Sequence, residues 1–158
     1  MTIKGQSGWI RDVVCSSDGS MLASCSNDHS IVVWKMPSGS KMCNLDDHDH
    51  VVETVAFSIP AFDASMKVSR AEIEGKRIVD TGREKAEKGA KYLVSGSRDK
   101  TVKVWEISTS TCVFTFKGHD NWIRGVAFHP FGQFIFSVSD DRSVRVWYVC
   151  VCLSSCSF

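Results

Sequence analysis

The sequence predicts an all-β chain of about three four-stranded antiparallel blades, a partial β-propeller. Three observations carry this. One pattern occurs three times, as Ser24, Asp28, Trp34, then Ser95, Asp99, Trp105, then Ser137, Asp141, Trp147, always with the same offsets. A fixed internal repeat sets the architecture before any single residue is read. Short runs of alternating apolar and polar residues, bounded by turn signals, fill the text around each copy and read as strands. Finally, the first and third copies align at an offset of 113, which pairs Trp9 with Trp122, Arg11 with Arg124, Gly19 with Gly132 and Trp34 with Trp147.

Each element follows in order. The first blade is expected over residues 1–46. Thr2-Ile3 reads as the tail of a strand from a preceding blade, and residues 41–45 read as the outer strand of this one. The second blade, 47–117, ends on an outer strand at residues 111–116. It carries an insertion at about 58–90, because His48 to Trp105 spans 57 positions where His119 to Trp147 spans 28. From Asp63 to Lys91 the insertion is dense in mixed charge and poor in aromatics. It is expected to be a solvated loop with a transient helical turn around Arg70–Ile78, because it lacks the apolar area to offset its ordering entropy. An inert expansion is the preferred reading, with a partner-binding loop as the alternative. The third blade, 118–148, is the most legible but incomplete. Residues 122–128 alternate as a strand, His129-Pro-Phe-Gly132 is a turn, and residues 134–139 and 144–147 are two further strands around the tight turn Asp140-Asp-Arg142. The tail, 149–158, is atypical and holds three of the seven cysteines.

Gly-His early and Trp late in a four-stranded unit of about 40 residues resembles the WD-repeat blade. That resemblance implies a structural hydrogen-bonded tetrad of His, Ser, Asp and Trp in each blade. The sets are His48, Ser95, Asp99, Trp105 and His119, Ser137, Asp141, Trp147. In the first blade Ser24, Asp28 and Trp34 are present, but Gln6 stands where His is expected. Gln donates and accepts hydrogen bonds yet has a different shape and cannot ionise, so this blade is expected to be the loosest. The Asp that usually follows the Trp is replaced by Lys35, Glu106 and Tyr148.

Composition narrows function mostly by exclusion. The chain has 158 residues, a formal net charge of +1 and 43% apolar residues. Arg and Lys do not cluster in sequence, which argues against nucleic acid. No run approaches the roughly 18 apolar residues of a spanning helix, and the first residues lack the apolar core of a signal peptide. An odd, scattered set of seven cysteines favours a reduced, cytoplasmic setting over a disulfide framework. Cys156 lies one place too late for prenylation. The Asp46–His50 cluster could suggest metal, but His48 has a tetrad role and the cysteine spacing fits no zinc pattern. No metal and no cofactor are expected. A hydrolase built on His, Ser and Asp is disfavoured, since a catalytic constellation occurs once whereas this one recurs with a Trp attached. There is no nucleophile elbow and no phosphate-binding loop.

Arg11, Arg98, Trp122 and Arg142 fall in blade-opening segments and tight turns, which a propeller gathers on one rim. Arg and Trp together suit a protein-binding hot spot. The competing reading is that Trp9 and Trp122 cover their own blades and the arginines are solvated.

Gly118-His-Asp-Asn-Trp-Ile-Arg-Gly-Val-Ala-Phe-His129 is more specific than a generic blade. So are Leu22-Ala-Ser-Cys-Ser-Asn-Asp28, the run from Leu93 to Trp105, and His50-Val-Val-Glu53 ahead of a long polar insertion. Together they resemble the lissencephaly-1 family of dynein regulators, over residues 1 to about 147 excluding much of 58–90. The resemblance implies three consecutive blades of a seven-bladed ring, and a noncatalytic scaffold that binds the cytoplasmic dynein motor domain at microtubules. It implies motor contacts at Arg11, Arg98, Trp122 and Arg142, the last being Lys in the family, so charge is kept and geometry changed. Dynein adaptor proteins and acetylhydrolase catalytic subunits are the other implied partners, and the implied setting is cytoplasmic, on the cytoskeleton and centrosome. The family's dimerisation motif and coiled coil are not in this sequence. The alternatives are a WD-repeat adaptor of another complex, such as a ubiquitin-ligase receptor, and a propeller fragment without function of its own.

Overall fold

A computed structural model of the chain describes residues 1–64, 66 and 89–149. Among these residues eleven strands fall into three antiparallel sheets. The first comprises β1 (Ile10–Cys15), β2 (Met21–Ser26), β3 (Ile31–Lys35) and β4 (Ser40–Leu45). The second comprises β5 (Val52–Phe57), β6 (Tyr92–Ser97), β7 (Thr101–Glu106) and β8 (Thr111–Lys117). The third comprises β9 (Ile123–Phe128), β10 (Phe134–Ser139) and β11 (Val144–Tyr148). Within each sheet the strands are neighbours in sequence order. The all-β, partial-propeller expectation is met. Thr2-Ile3 departs from it: neither residue is in a strand, and Ile3 instead lies in the cleft beside Trp34.

Two apolar cores separate the sheets, and strand alternation explains both. Side chains on a strand point to opposite faces in turn, so β6 sends Leu93 one way and Tyr92 and Val94 the other. Leu93 and Trp105 join Met21, Ala23, Ile31 and Val33 from the first sheet. Tyr92, Val94, Val102 and Val104 join Ile123 and Ile135 from the third. Both sides of the second sheet are therefore dry, and β6 and β7 are buried along almost their whole length.

The start of the insertion overturns the solvated-loop expectation where the structure describes it. Residues 60–64 are helical. Phe62 is fully buried, and Met66 and Asp63 are nearly so. Phe62 sits edge-on to Tyr92 and Phe128, with ring centroids 5.7 and 4.6 Å away, bridging the second and third sheets. Asp63 accepts a hydrogen bond from Ser58 Oγ at 2.5 Å. Two aromatic contacts and a satisfied carboxylate anchor this end of the segment despite the charge further along. The expected turn at Arg70–Ile78 and the tail beyond Val149 lie outside the described residues.

Candidate functional site

Each inner strand, β1, β5 and β9, begins with the same irregularity. Ile10 pairs with Ser26 and Asp12 with Cys25, so Arg11 is an extra residue. Val52 pairs with Ser97 and Thr54 with Gly96, leaving Glu53 extra. Ile123 pairs with Ser139 and Gly125 with Val138, leaving Arg124 extra. A β-bulge frees one residue from the ladder and re-aims its side chain. Three bulges at one repeat position thus bring Arg11, Glu53 and Arg124 together on a single rim.

Glu53 is the centre of that rim. Its carboxylate accepts from Arg11 Nη2 at 3.0 Å and from Arg98 Nε, and lies 3.6 Å from Arg124 Nη1. Burial alone would raise its carboxyl, but the Arg98 and Arg11 hydrogen bonds outweigh this and hold it below the usual range. Arg98 comes from the β6–β7 turn, and its guanidinium carbon lies 4.3 Å from the Trp122 ring centroid. Arg124 approaches the same ring at 5.1 Å. A guanidinium over an indole face is a favourable cation–π arrangement. Asp140 holds Arg124 in a fork, with Nε 2.9 and 3.0 Å from its two oxygens and Nη2 at 2.7 Å; the Arg124 hydrogen bond lowers the Asp140 carboxyl in turn.

Of the four residues read from the sequence, three meet here: Arg11, Arg98 and Trp122. Arg142 is exposed and stands in the next tight turn, at a left-handed φ of 69°. Trp122 is half-buried under two arginines, while Trp9 is 78% exposed and so does not cover its own sheet. Glu53, Arg124 and Asp140 were not among the sequence candidates. The signal for the first two was their shared repeat position with Arg11.

The tetrads lie apart, inside the sheets. Trp34, Trp105 and Trp147 each donate from Nε1 to the serine ten residues earlier, at 3.0, 2.8 and 2.8 Å. His48 bonds Ser95 at 2.7 Å and Asp99 at 2.6 Å, and His119 repeats both distances with Ser137 and Asp141. A hydroxyl that accepts from indole and donates to Nε2 requires the proton on Nδ1, facing the carboxylate. Gln6 fills the same place differently. Its Oε1 accepts from Ser24 Oγ at 2.6 Å, and its Nε2 donates to the Ser30 carbonyl at 3.1 Å. Asp28 takes the Ser7 and Gly8 backbone N–H groups instead, at 2.6 and 3.2 Å.

A fifth tetrad-linked group escaped the sequence reading. Ser30, Thr101 and Ser143 each donate to the Asp two residues earlier at 2.6 Å. A hydroxyl two places after the Asp in all three copies was the available signal. In two tetrads the serine, histidine and aspartate order matches that of a hydrolase triad, but Ser95 and Ser137 are 0% and 1% exposed. No substrate carbonyl reaches a hydroxyl sealed in that way.

The Asp46–His50 run disperses. Asp46 accepts from Asn44, Asp47 pairs with Lys103, His48 enters its tetrad and His50 stacks on His29. Among the described residues no group of His, Cys, Asp and Glu is arranged to hold a metal ion. No helix among them is long and apolar enough to cross a membrane.

Comparison with known proteins adds the family. The model of the WD domain, G-beta repeat, matches residues 1–35, 88–106 and 110–148. Nuclear distribution protein PAC1 of Ajellomyces capsulatus is 37% identical over 149 residues, covering 92% of this chain and 31% of its own. Nuclear distribution protein nudF of Aspergillus terreus is 37% identical over 146 residues, with the same coverage. The nudF of Emericella nidulans is 37% identical over 139 residues, covering 88% and 29%. The chain thus spans about a third of the length of these relatives. They are the fungal counterparts of the lissencephaly-1 protein, so the resemblance read from the sequence is met. With matched repeats over more than half its length and one bonding pattern in every sheet, the chain belongs to the WD-repeat family, and its repeats are similar to those of the nuclear distribution proteins.

Proposed function

We propose that the chain is a noncatalytic, protein-binding scaffold that regulates cytoplasmic dynein and through it nuclear distribution. Arg11, Arg98, Trp122 and Arg142 form the surface that meets the motor domain. The observation that carries this is Arg98 laid over Trp122 beside two further arginines. An indole and guanidinium groups on one exposed rim suit an acidic, partly apolar protein surface better than a small substrate. Arginines meet carboxylates in forks, and the indole supplies apolar contact that needs no reordering. Dynein adaptor proteins and acetylhydrolase catalytic subunits are further partners in this reading, and the site of action is cytoplasmic, on the cytoskeleton and at the centrosome. Titration of the full chain with dynein motor domain tests it. Arg98→Ala and Trp122→Ala should each weaken binding about tenfold, with an unchanged thermal melt. Unaltered affinity in both variants overturns the assignment.

A further inference from the structure

We infer that Glu53 is the positioning residue of the rim: it gathers Arg11, Arg98 and Arg124, one from each sheet, into a preformed surface for the carboxylates of an acidic protein segment. This rests on the reading of the rim as partner-facing. The geometry is particular to Glu53. Arg11, Glu53 and Arg124 occupy one bulge position on successive inner strands, so charge runs plus, minus, plus across the sheets. Glu53 is the member with a nearly buried side chain, 9% exposed against 28% and 42% for its two neighbours. It touches all three guanidinium groups within 4 Å. Three like charges that close would otherwise repel and scatter into solvent. A carboxylate beneath them holds their forks in one arrangement before any partner arrives, and ordering that precedes binding is not charged against affinity. Three arginines against Glu53 and Asp140 leave the rim net positive, open to further carboxylates.

The sign of one variant separates positioning from bulk charge. Glu53→Gln keeps the volume and makes the rim more positive. If Glu53 only diluted the positive charge, this change would tighten binding to an acidic surface. If Glu53 positions, it should weaken binding of the dynein motor domain about tenfold, mainly through faster dissociation. A second readout needs no partner: the Arg98 Nε–H, which donates to Glu53, should exchange with solvent at least several-fold faster in the variant by nitrogen-edited NMR. Weaker binding with faster exchange supports the inference. Equal or tighter binding, while Arg98→Ala still weakens it, overturns the role of Glu53 and leaves the rim reading intact. Unchanged Nε–H exchange also overturns it. Arg98→Ala that binds as tightly as the parent overturns the rim reading itself, and the role given to Glu53 with it. Indole N–H signals from the three tetrads report that every variant is folded.

Discussion

A serine hydroxyl has one proton to give, and in each tetrad the group that accepts it determines where the aspartate finds its donors. With His48 and His119 on the serine, the ring turns its Nδ1–H to the carboxylate, and Asp99 and Asp141 accept from it at 2.6 Å. With Gln6 the amide turns its N–H groups to the Ser30 carbonyl, and Asp28 is filled by the Ser30 and Ser7 hydroxyls and by backbone N–H groups in place of a ring N–H. The first sheet is therefore bonded by a different route from the other two. All three carboxyls end well below their ordinary value of 3.8. Burial opposes this at Asp28 and Asp99, and hydrogen bonds outweigh it; at Asp141 the Ser143 hydroxyl is the main cause. A folded pKa below the unfolded one means the unfolded chain takes up protons first as pH falls. The stability these groups give is thus complete above about pH 5 and drains away as pH drops through the carboxylate range. Asp99→Asn should lower stability at neutral pH by about 2 kcal/mol, since His48 loses its charged acceptor, and flatten the acid limb. Urea midpoints measured from about pH 7 down to about pH 3 check both effects.

Gly19 and Gly132 occupy one repeat position in the turns before β2 and β10, with φ of 70° and 79°, yet they should respond differently to the same change. A side chain at Gly19 meets nothing within 4 Å, whereas one at Gly132 would lie 2.5 Å from the backbone of Ala61 and Phe62. Gly19→Ala should cost only the left-handed penalty, about 1 kcal/mol. Gly132→Ala adds a backbone clash and should cost at least about 2 kcal/mol more, or release the helical residues 60–64 from the third sheet. Chemical denaturation of both variants, with protease sensitivity near Phe62, tests the difference. The pair also shows how far sequence reaches at this scale. Strands and turns were legible because repetition fixes offsets, and β10 matches its expected span, whereas the tetrad bonds were legible only through the resemblance to the WD-repeat blade. The docked start of the insertion was not, because Phe62 and Met66 are two apolar residues beside a highly charged stretch whose composition dominates the reading. The bulges were hidden as well. A bulge is a property of pairing between strands, and simple alternation over residues 122–128 conceals the extra Arg124. Glu53 was invisible as a hub for the same reason, since its partners lie 42, 45 and 71 positions away in sequence.

Across the whole molecule, the second and third sheets present the same face in unlike surroundings. Val102 and Val104 of β7 are fully buried against the third sheet, while their counterparts Val144 and Val146 of β11 are 67% and 58% exposed. Among the described residues nothing covers these two valines. Sheets in a propeller bury their faces on neighbours, and stability is shared along the stack. A sheet face of that kind left open is an association site, because contiguous apolar surface exposed to water favours contact with any similar surface. The 158-residue chain by itself should therefore self-associate at micromolar concentration and bind a hydrophobic dye. Val144→Thr with Val146→Thr should reduce both, since threonine keeps the β-branched shape and strand preference while wetting the face. The tetrads lie elsewhere, so the variant should keep its indole N–H signals. Sedimentation of the two proteins at matched concentrations decides the point: a monomeric parent chain with no dye binding would show that the valine face is covered after all.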